Sequence, residues 1–188
     1  VFNNGALAVC VGQAYDKEYE ENQTITLNDY LEMIEKKTGA LLSLCMEIPA
    51  LLANQDEGVC SQLRKFGYDL GKGFQIQDDV LEIFSGVETM GKSLGSDVIA
   101  KKQTALTLMA RKLVPQDWNK FCNEQGSQTI DEKLAGLRTF FEDNGVYAET
   151  TEMADKYFKD ALNALAVVPN PGREDLVAYT NFIKNREY

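Results

Sequence analysis

Apolar residues recur every three to four positions along almost the whole chain, and no segment of useful length alternates between apolar and polar residues. That periodicity is typical of amphipathic α-helices and predicts an all-α protein. The predicted helices cover about 2–21, 27–49, 56–84, 97–113, 116–124, 129–143, 147–167 and 173–185. No linker, repeat or low-complexity segment separates them, so we expect 1–188 to form a single all-helical unit.

Short polar residues and prolines mark several of the predicted helix ends. Thr26 can cap the second helix, because Asp29 follows it at the capping-box position. Asp97 is predicted to cap the fourth helix. We expect Pro49 to end or kink the second helix, because proline lacks the N–H donor that a helix interior needs.

The third predicted helix contains three closely spaced glycines, Gly67, Gly71 and Gly73. Glycine inside a helix costs about 1 kcal/mol relative to alanine. The three glycines therefore predict that a neighbouring helix or a ligand approaches the backbone at this point. The following segment, 85–96, carries three further glycines and is predicted to be a loop.

Composition then removes several classes of function. The net charge of −10 argues against a nucleic-acid-binding surface, since nothing offsets phosphate repulsion. The chain has no histidine, which excludes Ser-His, Cys-His and His-metal chemistry within it. Its four cysteines form no C-x-x-C pair, so reduced thiols are expected. Without a long apolar run or a signal peptide, a soluble cytoplasmic protein with no transmembrane segment is expected.

The densest polar cluster lies where the third helix should be apolar. Gln75, Asp78 and Glu82 share one helical face, and Asp79 adjoins them. Like charges at this spacing repel, so a bound cation would compensate them, and carboxylate oxygens suit Mg²⁺. The alternative interpretation is a solvated acidic face or a helix cap, which we would prefer for an isolated motif.

Lysines follow and precede this cluster. Gly91-Lys92 lies in the predicted glycine-rich loop, and Lys102 follows it ten residues later. Lys37, next to Thr38, interrupts the apolar stripe of the second helix. Lysines of this kind can bind phosphate oxygens as point charges, although solvated surface lysines are the alternative. Together with the carboxylates, they could hold a Mg²⁺–diphosphate group.

The order of these motifs resembles the trans-isoprenyl diphosphate synthases, or polyprenyl synthetases. The matching positions are Gly12-Gln13 with Asp16, Lys37-Thr38-Gly39, Gly71, Phe74-Gln75-Ile76-Gln77-Asp78-Asp79, Gly91-Lys92, Gly95, Asp97, Lys102, Thr104, Ala161 with Leu165, and Asn185-Arg186-Glu187. The resemblance spans most of the chain but corresponds only to the second half of the family's usual length.

The resemblance implies a fold and a reaction. The fold is the all-α isoprenoid-synthase fold, with helices around a central cavity and usually a homodimer; only its C-terminal part would be present here. The reaction joins an allylic diphosphate to isopentenyl diphosphate, giving a longer trans-polyprenyl diphosphate. Mg²⁺ assists departure of the diphosphate, and the double bond of isopentenyl diphosphate attacks the carbocation that remains.

The resemblance also implies roles for individual residues at the diphosphate. Lys37 and Lys102 match lysines that hold the allylic diphosphate, and Gln75 matches a glutamine beside it. We therefore expect these three residues to be catalytic.

Further residues match the metal site and the walls of the cavity. Asp78 and Asp79 match the start of the second aspartate-rich motif, with Asp78 the best candidate for a direct Mg²⁺ ligand. Glu82 stands where the family usually has aspartate and keeps the carboxylate. Residues that match substrate-binding positions are Thr38 and Phe74, which line the cavity, and Lys92, in the loop that closes over it.

The chain departs from the family by what it lacks. It contains no first aspartate-rich motif, and Asp78-Asp79 is its only Asp-Asp pair. We expect an N-terminal half to be missing. The apolar start around Phe2 and Leu7, and the glycine surface of the third helix, would then lack covering helices. A non-catalytic regulatory subunit of a heteromeric prenyl synthase is the alternative function, and a terpene cyclase is a weaker one.

Overall fold

A computed structural model describes residues 1–20, 22, 24–85, 102–124 and 129–186. Within these ranges the chain forms nine α-helices and no β-strand, which confirms the predicted all-α class. The α-helices are α1 (Phe2–Tyr19), α2 (Leu27–Ile34), α3 (Ala40–Leu52), α4 (Glu57–Phe84), α5 (Ala105–Leu113), α6 (Pro115–Glu124), α7 (Ile130–Asp143), α8 (Val146–Ala164) and α9 (Gly172–Lys184). None of them is both long and apolar enough to cross a membrane.

Side-chain caps define where several helices begin. The predicted capping box of Thr26 and Asp29 is present at α2, and Thr129 with Glu132 forms another at α7. The fourth predicted helix, 97–113, is wrong at residues 102–104, the first of its residues that the structure describes. Residues 102–104 are not helical, and α5 begins at Ala105 because Thr104 caps it with an extended backbone. Asp97, the predicted cap, lies outside the described residues.

The second predicted helix is divided, but not by its proline. Residues Glu35–Gly39 form a π-helical segment between α2 and α3. Pro49 lies inside α3, which continues to Leu52. The helix does not end at Pro49 because only one N–H donor is lost there, and Ala53 N–H still donates to the Pro49 carbonyl at 3.0 Å.

α4 forms the centre of the fold, with α3 and α8 as its most extensive partners. Fully buried side chains from three helices meet along it: Phe66, Leu70 and Ile76 of α4, Phe158 of α8 and Ile34 of α2. A second cluster of buried side chains joins the end of α4 to α5, α7 and the start of α8. The acidic segment of α4, residues 78–82, therefore lies between these two clusters of buried side chains.

The glycines of α4 mark close contacts with other elements of the chain. A Cβ atom at Gly71 would lie 2.5 Å from Gly39 Cα, and one at Gly67 would overlap the backbone of Ser43. A Cβ atom at Gly73 would lie 3.2 Å from the ring of Phe158. The predicted approach of a neighbouring helix is confirmed. The expectation that this glycine surface lacks cover is wrong, because α3, the π-segment and α8 cover it.

The apolar start of α1 is exposed in the structure. Phe2 and Leu7 are 67% and 64% exposed, and Gly12 is the buried residue of this helix. α1 contacts the π-segment and α3 along its other side. The predicted uncovered apolar surface is therefore present on α1.

Substituting Gly71 with alanine tests the close contact between α4 and the π-segment. We expect Gly71→Ala to lower the free energy of unfolding by about 1–3 kcal/mol, because the added methyl group would overlap backbone that cannot move aside cheaply. Gly172→Ala is the matched control, since a Cβ atom there would have its nearest neighbour at 3.9 Å. Urea unfolding measures both variants, and equal losses in the two would contradict the predicted contact.

Candidate active site

The π-segment directs two predicted site residues to different neighbours. Lys37 Nζ forms an ion pair with Asp16 Oδ2 of α1 at 2.6 Å. Thr38 donates its hydroxyl hydrogen to Gln75 Oε1 of α4 at 3.3 Å. The pairing with α1 is possible because Gly12, which has no side chain, lies against the Lys37 backbone. A π-helical turn of this kind is a frequent feature of functional sites.

Asp79 is a buried carboxylate that accepts hydrogen bonds from several elements of the fold. Its side chain accepts hydrogen bonds from Tyr30 Oη and Ala105 N, both at 2.7 Å, and from Gln75 Nε2 at 3.4 Å. Only 7% of the residue is exposed. Since Ala105 is the first residue of α5, the carboxylate also lies at the positive end of that helix. Asp79 thus ties α2, α4 and α5 together.

Asp78 points to a different part of the protein from Asp79. Its Oδ1 atom pairs with Arg186, which follows the end of α9. Burial raises the pKa of Asp78 above its ordinary value, although the Arg186 charge acts in the opposite direction. The side chain keeps 38% of its surface exposed. Of the two adjacent aspartates, Asp78 is therefore the more accessible one.

A cavity of about 100 Å³ lies between α1, α2, the π-segment, α4 and residues 102–104. Four of the predicted site residues line it: Lys37, Gln75, Asp79 and Lys102. Thr38, Phe74, Asp78 and Glu82 are not among the lining residues in the described part of the chain. Lys92 lies outside the described residues. Predicted residues from three separate segments therefore meet at one cavity, which Asp78 and Phe74 do not line.

The carboxylate oxygens on α4 fit a divalent cation only in part. Mg²⁺ is usually held by one or two carboxylates together with phosphate oxygens, and Asp78 and Glu82 offer carboxylates one helical turn apart. Asp79, in contrast, uses its carboxylate for bonds within the protein. No group of three or more cysteine, aspartate or glutamate side chains is arranged to hold a metal within the ranges described.

Sequence reasoning missed three functional contacts. Asp16 belongs to the recognised motif but was not predicted as the partner of Lys37. The sequence did not indicate Tyr30 as a partner of Asp79, although a buried tyrosine hydroxyl usually requires a partner. Arg186 was noted only as part of the chain's ending, and nothing in its sequence context indicates Asp78 as its partner.

Comparison with known proteins defines the class. A profile of the polyprenyl synthetase family matches residues 1–136. The chain therefore belongs to the polyprenyl synthetase family, as its motifs and its helical fold around the cavity indicate.

Individual relatives are prenyl diphosphate synthases by name. The geranylfarnesyl diphosphate synthase of Natronomonas pharaonis is 34% identical over 181 residues, which are 96% of this chain and 52% of that protein. The geranylgeranyl diphosphate synthase of Methanosarcina mazei is 32% identical over 190 residues, 100% of this chain and 57% of the relative. The chain thus spans little more than half the length of these relatives.

Solved structures agree with the sequence relatives. The geranylgeranyl pyrophosphate synthetase of Pyrococcus horikoshii superimposes with a TM-score of 0.89 at 28% identity, covering 99% of this chain and 57% of that one. The fold predicted from the resemblance is confirmed.

The bond from Tyr30 to Asp79 generates a stability prediction. We expect Tyr30→Phe to lower the free energy of unfolding by about 1.5–3 kcal/mol, because a buried carboxylate loses a donor. Tyr179→Phe is the matched control, since Tyr179 is 52% exposed. Chemical denaturation measures both, and a Tyr30→Phe variant as stable as the control would contradict the structural role of this bond.

The pH dependence of the same variant gives a second readout. Burial, reinforced by the charge of Asp79, raises the pKa of Tyr30 well above 10.0. Above about pH 10 the unfolded chain loses this proton while the folded protein keeps it, so the stabilisation present below that pH falls as the pH rises. The difference between wild type and Tyr30→Phe should therefore narrow in alkaline solution, whereas a widening difference would contradict the pKa direction.

Proposed function

We infer that the protein is a prenyltransferase that condenses an allylic diphosphate with isopentenyl diphosphate to give a longer trans-polyprenyl diphosphate. The observation that carries this proposal is the meeting of Lys37, Gln75 and Lys102 at one cavity. Membership of the polyprenyl synthetase family supports it, as do the names of the relatives. We assign this function to the whole protein. The relatives are about twice as long as the chain described here.

The lysines would bind the diphosphate of the allylic substrate. Lys37 now has the Asp16 carboxylate as its anionic partner, at 2.6 Å. That ion pair holds the ammonium group at the edge of the cavity, where phosphate oxygens could share it. Lys102 lines the same cavity just before α5. Two ammonium groups on one cavity would orient the diphosphate and stabilise the charge that it gains on leaving.

Gln75 would connect this diphosphate site to the frame of the protein. Its amide donates to Asp79 and accepts from Thr38, so its orientation is set from both sides. Thr38 and Phe74 would contribute to the substrate-binding walls, and Lys92 would be a further substrate-binding residue. Fixed polar groups of this kind position a substrate without reorganising during the reaction.

Mg²⁺ is the cofactor that we propose, with Asp78 as its principal protein ligand and Glu82 as a second carboxylate one turn away. Asp79 would contribute through its charge and by fixing the backbone, since its oxygens accept bonds from Tyr30 and Ala105. Bound Mg²⁺ would supply positive charge to the departing diphosphate. A homodimer, a cytoplasmic location and a single unit over 1–188 complete the proposal.

A lysine substitution tests the proposed activity. We expect Lys102→Gln to lower kcat/KM for prenyl transfer about a hundredfold, because a preorganised charge at the leaving diphosphate is lost. Lys120→Gln removes the same charge from exposed α6 and should leave the rate unchanged. The assay supplies the protein with Mg²⁺, an allylic diphosphate and radiolabelled isopentenyl diphosphate.

Two results would contradict the proposal. One is a Lys102→Gln variant as active as the Lys120→Gln control. The other is an inactive wild-type protein that raises the turnover of a separate prenyl synthase, which would favour the regulatory-subunit alternative.

A further inference from the structure

Arg186 forms an unusual junction between the end of α9 and the acidic segment of α4. Its guanidinium group donates to Asp78 Oδ1 and, at 3.1 Å, to the main-chain carbonyl of Phe74. The same group lies over the Phe74 ring, 4.0 Å from the ring centre. Only 16% of the Arg186 side chain is exposed. One cation thus contacts a carboxylate, a carbonyl and an aromatic face in the segment that carries the site.

The junction is not fully satisfied in its hydrogen bonds. Arg186 Nε and Gln77 Oε1 are buried, and neither has a hydrogen-bond partner among the described residues. Burying a polar atom without a partner costs free energy. The contact is held by the charge of Asp78, the Phe74 carbonyl and the Phe74 ring, and the unpartnered Arg186 Nε carries a cost that release of Arg186 would remove.

The rest of α9 is attached to the protein independently of Arg186. Gln77 Nε2 donates to the Lys184 carbonyl at 2.6 Å, and Lys184 Nζ pairs with Asp155 of α8 at 2.9 Å. Ile183 is buried in the core. Release of Arg186 would consequently move Asn185 and Arg186 and leave the helix in place.

We propose that Arg186 is the resident counter-ion of Asp78, which a divalent cation displaces when it binds with diphosphate. Arg186 is then a positioning residue: it neutralises and orients the carboxylate in the absence of metal. This inference rests on the proposed function, since it takes Asp78 as the metal-binding carboxylate.

Electrostatics gives the direction of the effect. A guanidinium group and a divalent cation at one half-buried carboxylate repel each other strongly, because few water molecules screen them. Coupling between two binding events is reciprocal, so a metal that loosens Arg186 must itself bind less tightly while Arg186 is in place. Removal of the Arg186 charge should therefore strengthen metal binding at Asp78.

Calorimetry on the protein can isolate this coupling. The affinity for inorganic diphosphate is measured once with excess Mg²⁺ and once with EDTA, and the ratio of the two affinities reports the contribution of the metal. We expect Arg186→Gln to raise this ratio about fivefold or more. Arg186→Lys keeps the competing charge and should retain the wild-type ratio. Arg173→Gln, at the other end of α9, removes the same charge away from Asp78 and should also retain it.

Hydrogen–deuterium exchange gives a readout independent of affinity. Adding Mg²⁺ together with diphosphate to the wild-type protein should increase amide exchange at residues 185–186, while the core of α9 stays protected. Two results would overturn the displacement of Arg186. One is an affinity ratio, with Mg²⁺ against EDTA, that is no higher in Arg186→Gln than in the wild type. The other is unchanged amide exchange at residues 185–186. Failure of the wild-type protein to bind diphosphate in either condition would overturn the proposed function as well.

Discussion

The carboxylate of Asp79 is the constraint on which the site depends. It is almost completely buried, and it accepts bonds from Tyr30 of α2 and from the first amide of α5. A buried carboxylate without such donors would be costly, so the three helices are held at fixed relative positions by a single group. Because Lys102 lies just before α5 and Lys37 just after α2, the same bonds fix two lysines beside one cavity.

Close backbone packing provides the second requirement. Gly71 lets α4 approach Gly39 at the end of the π-segment, and Gly12 lets α1 approach Lys37 from the other side. The π-segment is thus enclosed between two helices that come unusually near to it. This packing explains how Lys37 can reach Asp16 while its neighbour Thr38 reaches Gln75. The glycines serve the site by bringing its framework together.

Much of this arrangement could be predicted from the sequence. Helical periodicity predicted the α-helices, the Thr26 capping box was evident from local spacing, and the glycines of α4 correctly indicated close packing. The grouping of Lys37, Gln75 and Lys102 followed from the order of family motifs. The first three features depend on local sequence. The grouping of the lysines and the glutamine depends on motifs whose residues bind the diphosphate in the family.

The remainder depends on tertiary contacts that no local pattern encodes. The π-segment Glu35–Gly39 contains no apolar side chain, so no periodic pattern marks its change of register. Asp78 and Asp79 are adjacent in sequence, yet one pairs with Arg186 and the other with Tyr30. Consecutive helical residues point about 100° apart, and only the packed neighbours decide what each one meets. Of the end or kink expected at Pro49, the end is not found, since α3 continues to Leu52 despite the lost donor.

A crystal structure of the protein with Mg²⁺ and inorganic diphosphate tests the central claim most directly. We expect diphosphate density in the cavity between Lys37 and Lys102, with Asp79 still bonded to Tyr30 and to the first amide of α5. Diphosphate bound elsewhere, for example in the groove that α5, α8 and α9 form around Lys156 and Lys159, with the cavity between Lys37 and Lys102 lacking it, would contradict the account.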